Sequence, residues 1–120
     1  MTTSINELKE RLARYREIKL AVIGRKSGEK ISIPVWFVVE GNTLYLLPVQ
    51  GSHTQWYKNV EKTPSIWVEA RDAKAELHAI PITEAATVKA VVEKFREKYG
   101  AKDVKKYYSN FDVAVKAEVG

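Results

Sequence analysis

The sequence contains no cysteine, and its only histidines are His53 and His78. Disulfide frameworks, thiol catalysis, cysteine metal centres and histidine-rich metal sites are therefore excluded together. A long hydrophobic run is also missing. The longest uncharged apolar stretches lie around Ile31 to Val39 and Thr43 to Val49, well short of the ~20 residues that a membrane-spanning helix needs. The first residues are polar and charged, unlike a secretory signal, which gives the expectation of a cytoplasmic protein. No nucleophile elbow occurs, and neither histidine has the spaced carboxylate partner of a catalytic triad. Hydrolase chemistry is not expected, and no residue is assigned as catalytic.

At 120 residues the chain reads as one domain, 1–120. That is enough for a single core but small for an enzyme working alone, so a ligand site is expected to borrow walls from a second subunit. Lys and Arg outnumber Asp and Glu by 20 to 15. This favours anionic partners such as phosphates, nucleotides or nucleic acid. In the last fifth, however, Lys102, Lys105, Lys106 and Lys116 alternate with Asp103, Asp112 and Glu118, the pattern of a solvated surface.

Ser4 and Glu7 form a capping box, and Ile5, Leu8, Leu12 and Tyr15 recur at helical spacing, predicting an amphipathic helix over about Ile5 to Glu17. An apolar strand follows from Ile18 to Gly24, then a basic turn, then a strand from Ile31 to Glu40 with period-two alternation. Gly41-Asn42 signals a tight hairpin into Thr43 to Pro48. Pro34 cannot donate to a ladder and belongs at a sheet edge, a bulge or beside a ligand. Ser52 is the expected cap of a short helix over Trp56 to Glu61, stopped at Thr63-Pro64. Strands over Ser65 to Arg71 and Lys74 to Ile82 flank an Asp72-Ala73 turn. A long helix runs from Thr83 to Tyr99-Gly100, an undefined turn holds Tyr107 and Tyr108, and a final strand spans Phe111 to Val119. Six strands joined mostly by hairpins predict a mainly β chain with helices (α+β), a six-stranded antiparallel barrel with helices packed outside.

Two clusters carry the functional signal. The stretch from Gln50 through Gly51, Ser52, His53, Thr54, Gln55 and Trp56 to Asn59 packs hydroxyls, amides, an indole and the Lys58 cation into one strand-to-helix junction, where unpaired backbone N–H groups favour an anion. Upstream, Gly24-Arg25-Lys26-Ser27-Gly28-Glu29-Lys30 is a basic turn suited to charge-assisted bonds with phosphate or carboxylate. Trp56, set among amides, suits stacking on a flat heterocycle. Trp67, between Ile66 and Val68, reads as core or dimer packing, and both histidines read as surface residues. A nucleic-acid-binding barrel, with Trp36, Trp56, Tyr57, Tyr107 and Tyr108 as stacking platforms, is the alternative from another class.

The order Gly24-Arg25-Lys26-Ser27-Gly28, Pro34, Trp56-Tyr57 with Asn59, and Pro64 resembles the deazaflavin-dependent nitroreductase and quinone-reductase family. That family belongs to the flavin-binding split β-barrel group that includes pyridoxamine-phosphate oxidase. The resemblance covers about Ile18 to Arg71. It implies a six-stranded antiparallel split barrel, a homodimer with the cofactor near the dimer interface, and hydride transfer to a small flat acceptor. It also implies that Arg25, Lys26, Ser27 and Lys30 meet the cofactor's anionic tail, that Pro34, Val35 and Trp36 line the ring, and that Gln50, Gly51, Ser52, Thr54, Gln55, Trp56 and Asn59 close the other side. The compact loop before Trp56 departs from the deazaflavin members, and Ser52, Thr54 and Lys58 fit FMN equally well. The cofactor is thus FMN or a deazaflavin, and a carrier or sensor with the same pocket is a further alternative.

Overall fold

The structure, a computed structural model, describes residues 5–71 and 73–119. The Ser4 cap and the Asp72 half of the Asp72-Ala73 turn lie outside the described residues. The chain order is α1 (Ile5–Arg14), β1 (Ile18–Ile23), β2 (Lys30–Val35), β3 (Phe37–Glu40), β4 (Thr43–Leu46), a 3-10 turn (Gly51–His53), α2 (Gln55–Lys62), β5 (Ser65–Ala70), β6 (Ala73–His78), β7 (Ile80–Ile82), α3 (Ala85–Tyr99), α4 (Ala101–Tyr107) and β8 (Ala114–Glu118).

All six expected strand runs are present, but the ladders divide them into eight strands in two four-stranded antiparallel sheets, β2-β1-β5-β6 and β3-β4-β8-β7. The expected antiparallel strands with flanking helices are present, arranged as two four-stranded sheets. Two runs change sheet part-way, and each change has a local cause. At Trp36 the run from Lys30 breaks because the Phe37 N–H donates to the Tyr99 hydroxyl (3.0 Å). At Ala79 the pairing with β5 runs out: the Ala79 N–H still donates to the Pro64 carbonyl (2.8 Å), but Pro64 has no N–H to carry the ladder further. Each edge strand of the first sheet therefore continues along the chain into an edge strand of the second. Pro34 and Pro81 both sit on edge strands, β2 and β7, where a missing N–H costs no ladder bond.

The Gly41-Asn42 hairpin forms as expected, joining Glu40 to Thr43, with Gly41 at φ 60. Helix α1 stops at Arg14 rather than Glu17. Beyond it the Arg16 carbonyl accepts from the Tyr99 hydroxyl (2.7 Å), and the Tyr15 hydroxyl accepts from Arg71 Nε (2.8 Å). Tertiary partners at this point outweigh the helical spacing. Helix α3 ends at Gly100, whose φ of 94 is open to glycine at little cost.

Two buried clusters hold the layers together. The first lies between the sheets, where Leu8 and Leu12 of α1 and Tyr57 and Val60 of α2 meet Leu20, Phe37 and Leu44. The second lies under α3 and α4, where Val88, Val92, Phe95 and Val104 cover Val38 and Ala114 on the outer face of the second sheet. Trp67 points the other way, with Ser65 and Glu69 on the half-exposed face of β5, and Lys30 Nζ stands 3.9 Å from its ring centroid.

Candidate functional site: a groove between β2 and α2

The register of β2 decides what it shows to the groove. Ile31, Ile33 and Val35 pair with Val22, Leu20 and Ile18, all three buried. Directly opposed residues share a face, so this row lies on the core side of the sheet at its open edge. Helix α2 approaches that edge with its N-terminal turn. Two openings result. One, of about 470 Å³, is lined by Ile33, Pro34, Val35, Trp36, Thr54 and Trp56, together with Glu17, Leu47, Val49, Tyr107 and Tyr108. The other, of about 240 Å³, is lined by the turn residues Gly24, Arg25, Lys26 and Ser27 with Ile31, Gln55 and Asn59. Ile31 and Val35 stand roughly 13 Å apart along one strand. The two openings, one apolar and one basic, thus lie along the same β2 edge and the same helix α2.

The apolar end is a preformed aromatic box. Trp36 stacks on Tyr99 with centroids 4.2 Å apart and planes at 7°, and Tyr107 meets it edge-on at 5.5 Å. The Tyr99 hydroxyl accepts from the Phe37 N–H and lies within bonding distance of the Arg16 (2.7 Å) and Phe37 (2.8 Å) carbonyls, which share its single proton. Burial pushes this phenol up to about 12. Burial also raises the Tyr108 phenol well above its usual range, with Tyr99 adding to the effect. Both therefore stay protonated through the working range, and Glu17 is the one acidic or basic side chain lining this opening, while Arg16 and Lys106 stand against the rings of Tyr99 and Tyr107.

The basic end is tied to α2 through Arg25. Its backbone N–H and its Nη1 both donate to Asn59 Oδ1 (3.1 and 2.8 Å), and its Nη2 donates to Gln55 Oε1 (2.7 Å). Lys62 Nζ adds a bond to the Arg25 carbonyl (3.0 Å). Asn59 is buried, which makes this a fixed joint between turn and helix. Lys26 and Ser27 are exposed beside it. Gly28 closes the turn at φ 72, a conformation that side chains rarely adopt.

Of the expected site residues, Pro34, Val35, Trp36, Thr54 and Trp56 meet at the apolar end, and Arg25, Lys26, Ser27, Gln55 and Asn59 meet at the basic end. Lys30, Gln50, Gly51 and Ser52 line neither. Lys30 lies over Trp67. The Gln50 N–H donates to Thr54 Oγ1 (2.8 Å). Ser52 is not the cap of α2, where Thr54 holds that position. Its N–H and hydroxyl are instead both committed to Asp112 (2.9 and 2.5 Å), which holds that carboxyl below its ordinary value. Gly51 has φ 57, and a side-chain carbon there would overlap Asp112 Oδ1. This junction is thus a brace between the 3-10 turn and the segment before β8.

Glu17, Leu47, Val49, Tyr107 and Tyr108 are groove residues that the sequence did not assign. The Tyr107-Tyr108 doublet in a polar stretch was the one visible sign. Trp56 and Tyr57 are 6% and 2% exposed, which removes two of the five stacking platforms required by a nucleic-acid reading. Both histidines are exposed. Among the described residues no group of acidic or histidine side chains is arranged to hold a metal ion, and no helix is long and apolar enough to cross a membrane.

Residues 7–117 match the DUF2255 family, described as uncharacterized proteins conserved in bacteria. The chain belongs to that family. No curated protein matches it. Among solved structures, this DUF2255 member is similar to an F420-H2-dependent reductase, with 18% identity, a TM-score of 0.66, and coverage of 86% of this chain and 94% of the other. It is also similar to a pyridoxamine 5'-phosphate oxidase-like protein from Listeria innocua, with 13% identity, a TM-score of 0.69, and coverage of 94% and 90%. A protein described as a domain-swapped dimer matches at 18% identity and a TM-score of 0.68, with coverage of 95% and 96%. At such identities the likeness is one of fold.

Proposed function

We propose that this DUF2255 protein binds a flavin-type cofactor, FMN or a deazaflavin, in the groove between β2 and α2 and acts as an oxidoreductase on a small flat acceptor. One observation carries the reading: a flat-walled aromatic box and a basic turn lie at opposite ends of one strand face, spaced for a molecule with a planar head and an anionic tail. The residues fit such a group. Trp36 walls the ring, with the buried Trp56 backing the site rather than stacking on it, Pro34 and Val35 present strand backbone to its edge, and Lys26 and Ser27 are positioned to bond the tail. Gln55 and Asn59 act through Arg25, which holds the turn in place. When bound, the cofactor supplies hydride chemistry, and the protein's part is binding, orientation and exclusion of water. The absence of a triad in the sequence agrees with that division of labour. The six-run split barrel of the resembled group also accounts for the two strands that pass between sheets.

Titration of the purified protein with FMN and with a deazaflavin, followed by fluorescence, is expected to give a dissociation constant in the micromolar range or tighter. Failure of both to bind at tens of micromolar, on the order of −6 kcal/mol, removes the oxidoreductase reading.

The groove is open on one side. Ile31, Val49 and Tyr107, three of the four exposed large hydrophobic residues among those described, stand on its rims. This supports a homodimer in which a second copy covers the apolar rim, the commonest symmetric solution for such a patch. Sedimentation at micromolar concentration is expected to show a dimer. A strict monomer that still binds cofactor tightly would mean that one chain builds the whole groove.

A further inference from the structure

The wider opening is walled by aromatic and aliphatic side chains, one threonine and a single charge, Glu17. Ile18 of β1 pairs with Val35 of β2, so Glu17 and Trp36 flank that pair at the end of the ladder, and both line the opening. Glu17 is exposed, and among the described residues no hydrogen bond or ion pair engages its carboxylate. The cations around it are placed elsewhere. Arg16 and Lys106 stand 5.0 and 5.3 Å from the ring centroids of Tyr99 and Tyr107, and neither lines the opening. Lys19 and Arg71 border a different opening that Glu17 also touches, and Arg71 Nε is bonded to the Tyr15 hydroxyl.

The rings beside Glu17 carry a field of the same sign. The face of an aromatic ring is the negative part of its quadrupole, and the indole attracts a cation most strongly. Trp36 is held in place by its stack on Tyr99, which leaves its other face for a ligand. Tyr107 stands at 79° to it and Tyr108 at 53°, so a cation resting on Trp36 meets more than one ring. A neutral flat molecule gains only contact area here, and an anionic one meets an unpaired carboxylate. A flat cation gains the contact, the ring faces and the carboxylate together.

We infer that the apolar opening is selective for flat aromatic cations, such as N-alkylated nitrogen heterocycles, and that Glu17 is the residue that sets this charge preference. As the class of the acceptor, such cations rest on the oxidoreductase reading above; the charge preference itself belongs to the protein without cofactor.

The test is calorimetric titration of the purified protein with N-methylquinolinium and with 4-methylquinoline, at a mildly alkaline pH where the second is neutral and nearly the same shape. The cation is expected to bind about tenfold more tightly, from ring attraction and the carboxylate together. Glu17→Gln keeps the size of an exposed side chain and removes its charge, so the ratio should fall to about threefold, the part owed to the rings. Salt at about 1 M, where the Debye length is ~3 Å, should bring the parent protein close to the same ratio. A cation that binds no more tightly than 4-methylquinoline, or a preference undiminished in Glu17→Gln, overturns the inference. Parallel titration with FMN and a deazaflavin separates the two readings. Cofactor binding without a charge preference strikes this inference alone, whereas a charge preference without cofactor binding strikes the oxidoreductase reading and leaves a cation-binding groove.

Discussion

Tyr99→Ala is expected to lower stability by about 3–5 kcal/mol, the usual range for truncating a buried aromatic, and to abolish cofactor binding at the groove. Tyr99 is 5% exposed and does two jobs at once. Its ring supports Trp36 from behind, and its hydroxyl holds the chain where β2 gives way to β3. Tyr99→Phe separates the two. It keeps the stack but leaves the Phe37 N–H without its acceptor, for an expected cost of about 1–3 kcal/mol. Urea unfolding measures both variants, and near-ultraviolet circular dichroism reports whether Trp36 stays ordered. If Tyr99→Ala binds cofactor as tightly as the parent protein, Trp36 is not a wall of the site.

The second large effect separates neighbouring cations of the basic turn. Arg25→Ala removes three side-chain bonds to α2 and leaves the buried Asn59 amide with one donor fewer. It should therefore cost about 1–3 kcal/mol of stability as well as affinity. Lys26 is exposed, and among the described residues nothing engages its ammonium. Lys26→Ala should weaken cofactor binding by about 1–3 kcal/mol, or roughly five- to 150-fold, through loss of one charged bond, with the unfolding midpoint unchanged. Equal affinities for Lys26→Ala and the parent protein would reduce the turn to a solvated hairpin tip anchored by Arg25.

Local pattern was enough to recover every strand run, the Gly41-Asn42 hairpin and the helices α1, α2 and α3, because alternation, helical spacing and turn chemistry act over a few positions. The family resemblance, rather than local pattern, set Pro34, Val35 and Trp36 opposite Thr54 and Trp56, and all five line one opening. What local pattern could not show depends on residues far apart in the chain. The break at Trp36 is set by Tyr99, 62 positions away, and no alternation pattern reports such a bond. Ser52 reads as a helix cap until Asp112, 60 positions on, claims both its donors. Arg25 reads as an anion-binding cation of the basic turn until Asn59, 34 positions on, takes it up. Helix α4 carries only one buried residue, Val104, and so gave no periodic signal.

The connectivity of the two sheets sets the order in which they can be completed. Every strand of the first sheet lies between residues 18 and 78, and β1 with β2 closes only a short turn. The second sheet must bring Glu118 back opposite Thr43, with β8 inserted between β4 and β7. Such a remote pairing pays its loop-closure entropy before any contact repays it, so it forms late and sets the pace of folding. The groove straddles this divide. Its β2 and α2 walls belong to the early half, whereas Leu47 follows β4 and Tyr107 and Tyr108 arrive with the segment leading to β8. A partly folded chain thus presents half a groove, and a ligand that needs both halves draws the final closure forward by mass action.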